Sequence, residues 1–271
     1  ALRRSKIIAT LGPSTGDLST VVLMARKGAD GFRINFSHGD EELWRKYVKY
    51  VRVAEEKIGR ELAVICDLQG ADVRIGNVEK PILVSKGEEI CIKLSPSSDG
   101  SFIPLPSERV LEELEEGDLV MLDDGRLRLR VEEIEPEGVK AVAMNSGLIT
   151  SHKSFAIAEK EIDLPRLTEK DVRNVDLAIE VGADYLGLSF TTDSESVKLL
   201  RELVEEKGGN VGVLAKIETK SGVKNFNSIL GVADGAVIAR GDLGMHYGLE
   251  EIPRIQRELV RIAVGKGRPV I

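Results

Sequence analysis

The sequence predicts an α/β fold: a TIM-type (β/α) barrel, incomplete at its C-terminus, with a small all-β barrel domain inserted after the third strand. Three observations lead there. Short β-branched runs are each followed by residues at helical spacing, as in parallel βα units. Between residues 77 and 158 the apolar period drops from helical to two. And two apolar runs, Val211-Gly212-Val213-Leu214-Ala215 and Gly235-Ala236-Val237-Ile238-Ala239, end abruptly in Lys216-Ile217-Glu218 and Arg240-Gly241-Asp242. The C-terminal ends of parallel strands are where such folds place their chemistry. A doubly wound sheet gives the same local signals, but its phosphate turn sits in a glycine-rich loop after the first strand, and Gly12-Pro13-Ser14 is not one.

The elements follow in order. Ile7 to Leu11 is the first strand, broken by Gly12-Pro13. Leu18, Val21, Val22 and Ala25 form the apolar stripe of a helix that Gly28 closes. Gly31 to Ser37 alternates as a strand. Asp40 caps the next helix, where Glu41 and Glu42 complement the N-terminal dipole, Leu43, Tyr47, Val51, Ala54 and Ile58 face inward, and Gly59 ends the run. Leu62 to Cys66 is a third strand and delivers Asp67 at its end. These elements make residues 1–76 the first part of the barrel.

Residues 77–158 read as a β-rich insert, the place of a lid. Ile90, Ile92 and Leu94 alternate with polar residues, and Leu127, Leu129 and Val131 alternate with Arg126, Arg128 and Arg130. Such an arginine stripe reads as a solvated sheet face rather than a phosphate clamp. From 159 to 271 the βα rhythm returns. Thr168-Glu169-Lys170-Asp171 is a capping box before Val172, Val175 and Ile179. Strands over 185–190, 211–217 and 236–240 alternate with helices ending near Gly182 and Gly208, and a seventh strand begins at Pro269-Val270-Ile271. Without the insert the chain falls short of the roughly 250 residues of a complete eightfold barrel, so the last quarter is expected to be missing.

Bulk properties narrow the partners. Of 271 residues, 42% are hydrophobic and 31% charged, the composition of an ordinary soluble protein. A net charge of -7 argues against nucleic-acid or anionic-membrane binding and for a small-molecule partner. The basic start, Ala1 to Lys6, precedes an apolar run too short for a signal peptide, and no later segment is long enough to span a membrane. Two cysteines, Cys66 and Cys91, each within an apolar strand, give neither a disulfide framework nor metal-ligand spacing, which fits a reducing cytoplasm.

The strand ends carry the candidate chemistry. Glu218 and Asp242, one βα unit apart, suit a hard divalent cation that keeps coordination positions open for substrate oxygens. Lys216 is either a partner of Glu218 across the strand end or part of the same site. Arg33 offers a fork suited to phosphate, and oxygen donors from Asn35, Ser37 and Asp67 could hold a weakly hydrated monovalent cation.

Four segments in order then identify a resemblance. Ser5-Lys6-Ile7-Ile8-Ala9-Thr10-Leu11-Gly12-Pro13-Ser14, Arg33-Ile34-Asn35-Phe36-Ser37-His38-Gly39, Ala215-Lys216-Ile217-Glu218 and Ala239-Arg240-Gly241-Asp242-Leu243-Gly244 resemble the motifs of the pyruvate kinase family. The similarity runs from Ser5 to Ile271. It implies a cytoplasmic glycolytic phosphotransferase that moves a phosphoryl group from phosphoenolpyruvate to ADP, giving pyruvate and ATP, with Mg²⁺ (or Mn²⁺) and K⁺ as cofactors. By that resemblance Glu218 and Asp242 hold Mg²⁺, and Lys216 and Arg33 stabilise the phosphoryl group in transit. Gly241, with Lys216 and Asp242, contacts substrate. Asn35, Ser37, Asp67 and the carbonyl of Leu68 hold K⁺. Arg33, Asn35, His38, Arg74, Asp124 and Lys153 face the nucleotide. Family members are commonly homotetramers, an expectation that applies to the full-length protein.

The departures from the family pattern are local. Asp67-Leu68-Gln69-Gly70-Ala71-Asp72-Val73-Arg74 stands where the family typically reads Asp-Thr-Lys-Gly-Pro-Glu-Ile-Arg; Asp67 persists, and Asp72 keeps the charge of a glutamate associated with K⁺ dependence. Ser151-His152-Lys153 retains one of two adjacent lysines usual in the family, while Asp123-Asp124-Gly125 matches the lid's acidic turn. The family's Ala-Thr-Gln segment would follow Ile271, so the chain alone is expected to turn over poorly. Two other readings remain: an aldolase- or lyase-like barrel that uses Mg²⁺ to stabilise an enolate without nucleotide, and a non-catalytic module that binds phosphoenolpyruvate and nucleotide.

Overall fold

The computed structural model describes residues 5–271; Ala1 to Arg4 of the basic start lie outside the described residues. In chain order the elements are β1 (Ile8–Thr10), α1 (Leu18–Lys27), β2 (Gly31–Asn35), α2 (Glu41–Ile58) and β3 (Ala63–Asp67), then the insert: β4 (Asn77–Val78), β5 (Ile82–Val84), β6 (Glu89–Leu94), β7 (Ser97–Ser98), β8 (Ile103–Leu105), α3 (Glu108–Glu112), β9 (Leu119–Leu122), β10 (Leu127–Glu135), β11 (Gly138–Ala143), β12 (Gly147–Ile149) and β13 (Phe155–Ile157). After it come α4 (Glu169–Glu180), β14 (Tyr185–Leu188), α5 (Ser194–Glu206), β15 (Gly212–Ile217), α6 (Lys220–Lys224), α7 (Phe226–Val232), β16 (Gly235–Ile238), α8 (Arg240–His246) and α9 (Ile252–Gly265). Two compact units result. One holds the chain up to Ala71, Pro165–Ala239 and Ile255–Ile271; the other holds Asp72–Leu164 and Arg240–Arg254.

The first unit is built on a parallel sheet ordered β1-β2-β3-β14-β15-β16. Each successive pair is parallel and in simple register, so consecutive βα units lay their strands side by side. A parallel bridge from Ala236 to Val270 starts the seventh strand where the sequence expects one. A cleft of about 1750 Å³ lies on the side where the strands begin, lined by Ile7 and Ile8 as well as Val270 and Ile271.

Local chemistry explains the helices. Asp17 caps α1 by accepting from Thr20 N–H at 2.9 Å, and Gly28, at φ 112°, closes it in the left-handed conformation that glycine adopts without penalty. Asp40 caps α2 through Leu43 N–H. Thr168 and Asp171 form both halves of the capping box at α4. The buried stripe of α2 is Trp44, Tyr47, Val48, Val51 and Ala54. Leu43 and Ile58, expected to face inward, are only half-buried; beside Leu43 it is Trp44 that turns inward and stacks on Phe36 at 4.4 Å, and Ile58 at the other end of the helix lines the cleft.

The second unit carries a six-stranded sheet ordered β13-β9-β10-β11-β6-β8, antiparallel except for β6 and β8, with the two-strand pairs β12-β5 and β4-β7. Ile92, Ile103, Leu105, Val120, Leu129 and Ala141 are among its core residues. Its one short helix among the inserted strands, α3, agrees with the period-two sequence. Residues 240–254 also cluster with this unit, where sequence alone assigns them to the barrel. Met245 lies beside Gly125 within it, and the charges of Glu251 and Glu161 help to push up the Tyr247 hydroxyl pKa, after burial.

Candidate active site

At the ends of β2, β3, β14 and β15 four charged side chains gather in the first unit. Parallel register sets Asn35 beside Asp67, and Asp67 beside Gly187. A mid-strand glycine marks a close approach, and here a Cβ at position 187 would collide with Asp67 Oδ1. The Asp67 carboxylate therefore lies in a space that only glycine leaves open. Arg33 pairs with its Oδ2 through both Nε and a terminal nitrogen.

Lys216, 8% exposed, reaches into the same group from β15. Its Nζ lies 3.1 Å from Glu218 Oε1, 3.4 Å from Asp67 Oδ2 and 2.9 Å from Ser189 Oγ. Burial opposes the charged amine, but the carboxylates of Glu218 and Asp67 outweigh it and hold the ammonium pKa above its ordinary value. Two acids and two cations balance formally, which is the condition for keeping such groups inside. Asp67 also adds to the burial that pushes the adjacent Cys66 thiol up to about 12, so this cysteine is an inert wall rather than a nucleophile.

Glu218, 3% exposed, is gripped from a second side: Phe190 N–H donates to its Oε2. Phe190 has φ 54°, a left-handed conformation that a bulky residue rarely adopts. Neither Ser189 nor Phe190 stands out in the sequence reading. The available signal was a small polar residue directly after an apolar parallel strand, at the rim where side chains converge.

Of the expected monovalent-cation ligands, Asp67 is fully buried, and its Oδ1 accepts no hydrogen bond among the described residues. An orphaned buried carboxylate oxygen is costly unless something positive meets it, so this donor set fits a cation. Asn35 Oδ1 accepts from Ser37 N–H at 3.0 Å, and the Leu68 carbonyl accepts from Ser189 Oγ at 2.6 Å. The imidazole of His38 is exposed, while its loop is pinned by Trp44 Nε1 donating to the His38 carbonyl at 2.7 Å.

The remaining candidates belong to the second unit. Gly241 and Asp242 lie in the first turn of α8 rather than in an extended strand end. Arg74 Nε donates to Asp72 Oδ2 at 2.6 Å, and Arg74 donates to the His152 carbonyl at 2.9 Å. In the acidic turn, Asp123 and Asp124 both have positive φ. Asp124 N–H donates to Ser154 Oγ, whose hydroxyl returns a bond to Asp124 Oδ1 at 2.9 Å; Lys153 Nζ lies 2.9 Å from Asp123 Oδ1. Lys153 and Asp124 thus flank one rigid turn. Among the described residues no helix is long and apolar enough to cross a membrane.

Comparison with known proteins agrees along the whole chain. Residues 2–271 match the family model described as the pyruvate kinase barrel domain. Pyruvate kinase of Aeropyrum pernix is 39% identical over 256 residues, covering 94% of this chain and 55% of the relative. That of Pyrobaculum aerophilum is 37% identical over 269 residues, covering 98% and 58%, and that of Thermococcus litoralis 35% over 270 residues, covering 99% and 57%. The crystal structure of pyruvate kinase from Pyrobaculum aerophilum superposes with a TM-score of 0.88 at 36% identity, over 98% of this chain and 60% of that one. The chain spans between 55% and 58% of the length of these three curated relatives.

Proposed function

Because this chain belongs to the pyruvate kinase family, we propose that it carries the phosphotransfer machinery of a cytoplasmic, glycolytic pyruvate kinase, moving the phosphoryl group of phosphoenolpyruvate to ADP and giving pyruvate and ATP. The observation that carries the proposal is the Lys216 ammonium, buried and charged among Glu218, Asp67 and Ser189 where the parallel strands end. Phosphoryl transfer needs fixed positive groups around a spreading negative charge more than it needs a nucleophile from the protein.

In this reading Lys216 and Arg33 meet the phosphoryl oxygens. Both arrive pre-oriented, since Arg33 is braced on Asp67 and Lys216 on the Ser189 hydroxyl and two carboxylates, so little reorganisation is required when charge develops. Glu218 and Asp242 would hold Mg²⁺ (or Mn²⁺), and Asn35, Ser37, Asp67 and the Leu68 carbonyl would hold K⁺. Bound there, the metals would neutralise carboxylate and phosphoryl charge as Lewis acids. Gly241 would contact substrate through its backbone, having no side chain. Arg33, Asn35, His38, Arg74, Asp124 and Lys153 would face the nucleotide. The full-length protein would assemble as a homotetramer.

The test is product coupling. With phosphoenolpyruvate, ADP, Mg²⁺ and K⁺ the full-length protein should release pyruvate and ATP in equal amounts, while residues 1–271 alone should turn over poorly. Asp242→Ala should weaken Mg²⁺ binding, whereas Lys216→Met should lose transfer and keep the metal. ADP-independent conversion would favour a lyase, and tight phosphoenolpyruvate binding without pyruvate release would favour a binding module; either result overturns the proposal.

A further inference from the structure

One hydroxyl joins three strand ends of the parallel sheet. Ser189, just after β14, donates from Oγ to the carbonyl of Leu68, just after β3, and lies 2.9 Å from Nζ of Lys216 on β15. A serine hydroxyl has a single proton. With that proton committed to Leu68, Oγ meets Lys216 only as an acceptor, so the polarity of this contact is set.

Counting the donors shows what the contact adds. An ammonium has three N–H bonds; Ser189 Oγ accepts one of them, and the carboxylates of Glu218 and Asp67 stand at ion-pair distance, 3.1 and 3.4 Å. Two carboxylates would supply the charge but leave one N–H free to swing. The hydroxyl adds a directional acceptor to the two charges and so restricts how the ammonium turns. The serine is itself held: it is buried, Thr191 Oγ1 donates to the Leu188 carbonyl at 2.7 Å, and the Phe190 amide engages Glu218. Gly70, at φ 74°, packs so closely that a Cβ there would come within 3.0 Å of Ser189 Cβ. No alternative rotamer role needs to be assumed, since both of its hydrogen-bond functions are used.

We infer that Ser189 is a positioning residue for Lys216, which aims the ammonium and ties its direction to the Leu68 carbonyl. The catalytic consequence rests on the phosphotransfer reading; the positioning itself does not. Leu68 lies in the expected monovalent-cation set, so the hydroxyl also connects that set to the lysine.

The test uses Ser189→Ala, Ser189→Cys and Ser189→Thr in the whole chain. Limiting acetic anhydride is applied, and modification at Lys216 is read by peptide mass spectrometry against the exposed Lys57. Loss of the Ser189 acceptor should raise relative modification of Lys216 at least about threefold in the alanine and cysteine variants, with threonine restoring the parental value. In turnover assays kcat should fall about tenfold while KM for phosphoenolpyruvate changes less than about twofold, again with recovery in Ser189→Thr. Sulfur is a poor acceptor of nearly the same size, so Ser189→Cys decides the matter if the alanine variant fails to fold. Parental modification of Lys216 in Ser189→Cys overturns the inference, whatever happens to turnover. A full-length parent that makes no pyruvate from phosphoenolpyruvate and ADP would instead overturn the phosphotransfer reading, with the modification result still deciding the role of Ser189.

Discussion

Two strands of this protein carry basic residues among apolar ones, one strand in each unit, and they dispose of their charge in opposite ways. In β10 the side chains of Leu127, Leu129 and Val131 are buried while Arg128 and Arg130 stand in solvent, a sheet with one dry face. In β15 both faces are covered, and Lys216 goes inside with its neighbours. A solvated arginine needs no partner, whereas a buried lysine must bring its own counter-charges, and Lys216 meets Glu218 from its own segment and Asp67 from another. The difference teaches that a charge becomes informative about function only when the fold makes it costly to keep.

The widest gap between the two strands should appear on neutralisation. Lys216→Met leaves Glu218 and Asp67 facing each other without the ammonium, and breaking a buried network from one side costs about 3–5 kcal/mol, read as a shift in urea midpoint. Transfer activity should fall by at least about a thousandfold, because the group that meets developing charge is gone. A midpoint within experimental scatter of the parent would mean that Lys216 is as solvated as the β10 arginines, and the comparison would break. Next in size comes Gly187→Ala. The added methyl would collide with Asp67 Oδ1 and push the carboxylate off its position, costing about 1–3 kcal/mol and loosening Arg33 and Lys216 together. Unchanged stability and activity would show that Asp67 has room to move.

Much of this was legible in the sequence, for physical reasons that differ by element. The βα units announced themselves because Asp40 and Thr168 are caps and Gly28 and Gly59 are left-handed stops, all determined by neighbours a few residues away. Lys216 and Glu218 were visible because charge after an apolar run is locally anomalous. Ser189 and Phe190 were not, since a serine after a strand looks like any turn; its meaning comes from Leu68 and Lys216, which are distant in sequence and adjacent only through β14 pairing with β3 and β15. The backbone of Phe190 takes its left-handed form in a tertiary setting that includes Glu218 and the bare Gly70. The inward face of α2 was half right: Trp44 displaced Leu43 because an aromatic stack on Phe36 depends on a strand contact that helical spacing does not encode.

Between the buried lysine and the solvated stripe lies a half-buried carboxylate, and pH separates it from both. The Arg166 guanidinium beside Asp193 is the main reason its carboxyl is held down to about 2, with Ser196 adding hydrogen bonds at the start of α5. A folded-state value below the unfolded one stabilises above the ordinary carboxylate range, and that stability is lost as pH falls through about 2. Asp193→Asn keeps a capping oxygen and removes the charge, so it should cost about 0.5–1 kcal/mol at neutral pH after allowance for solvent screening. The gap between variant and parent should narrow from pH 4 downward, as urea midpoints across the acid range would show. A constant gap down to pH 2 would assign the effect to capping geometry rather than charge.

The smallest effect belongs to the stripe, and it is the one that separates a solvated face from an anion clamp. Arg128 contributes to structure through its backbone, whose N–H donates to Asn145 Oδ1 at 2.9 Å and whose carbonyl accepts from Met144 N–H at 2.8 Å; Arg128→Gln keeps both. Stability should stay within about 0.5 kcal/mol of the parent. If the stripe gripped phosphate, losing one guanidinium would weaken ADP binding by about tenfold and flatten its salt dependence. If it is merely wet, ADP affinity should move by less than about twofold at any ionic strength, because water already satisfies the guanidinium before and after nucleotide arrives. Titrating ADP at low and high salt into parent and Arg128→Gln therefore asks whether solvent exposure alone is enough to make a basic strand silent, the premise on which the contrast with Lys216 stands.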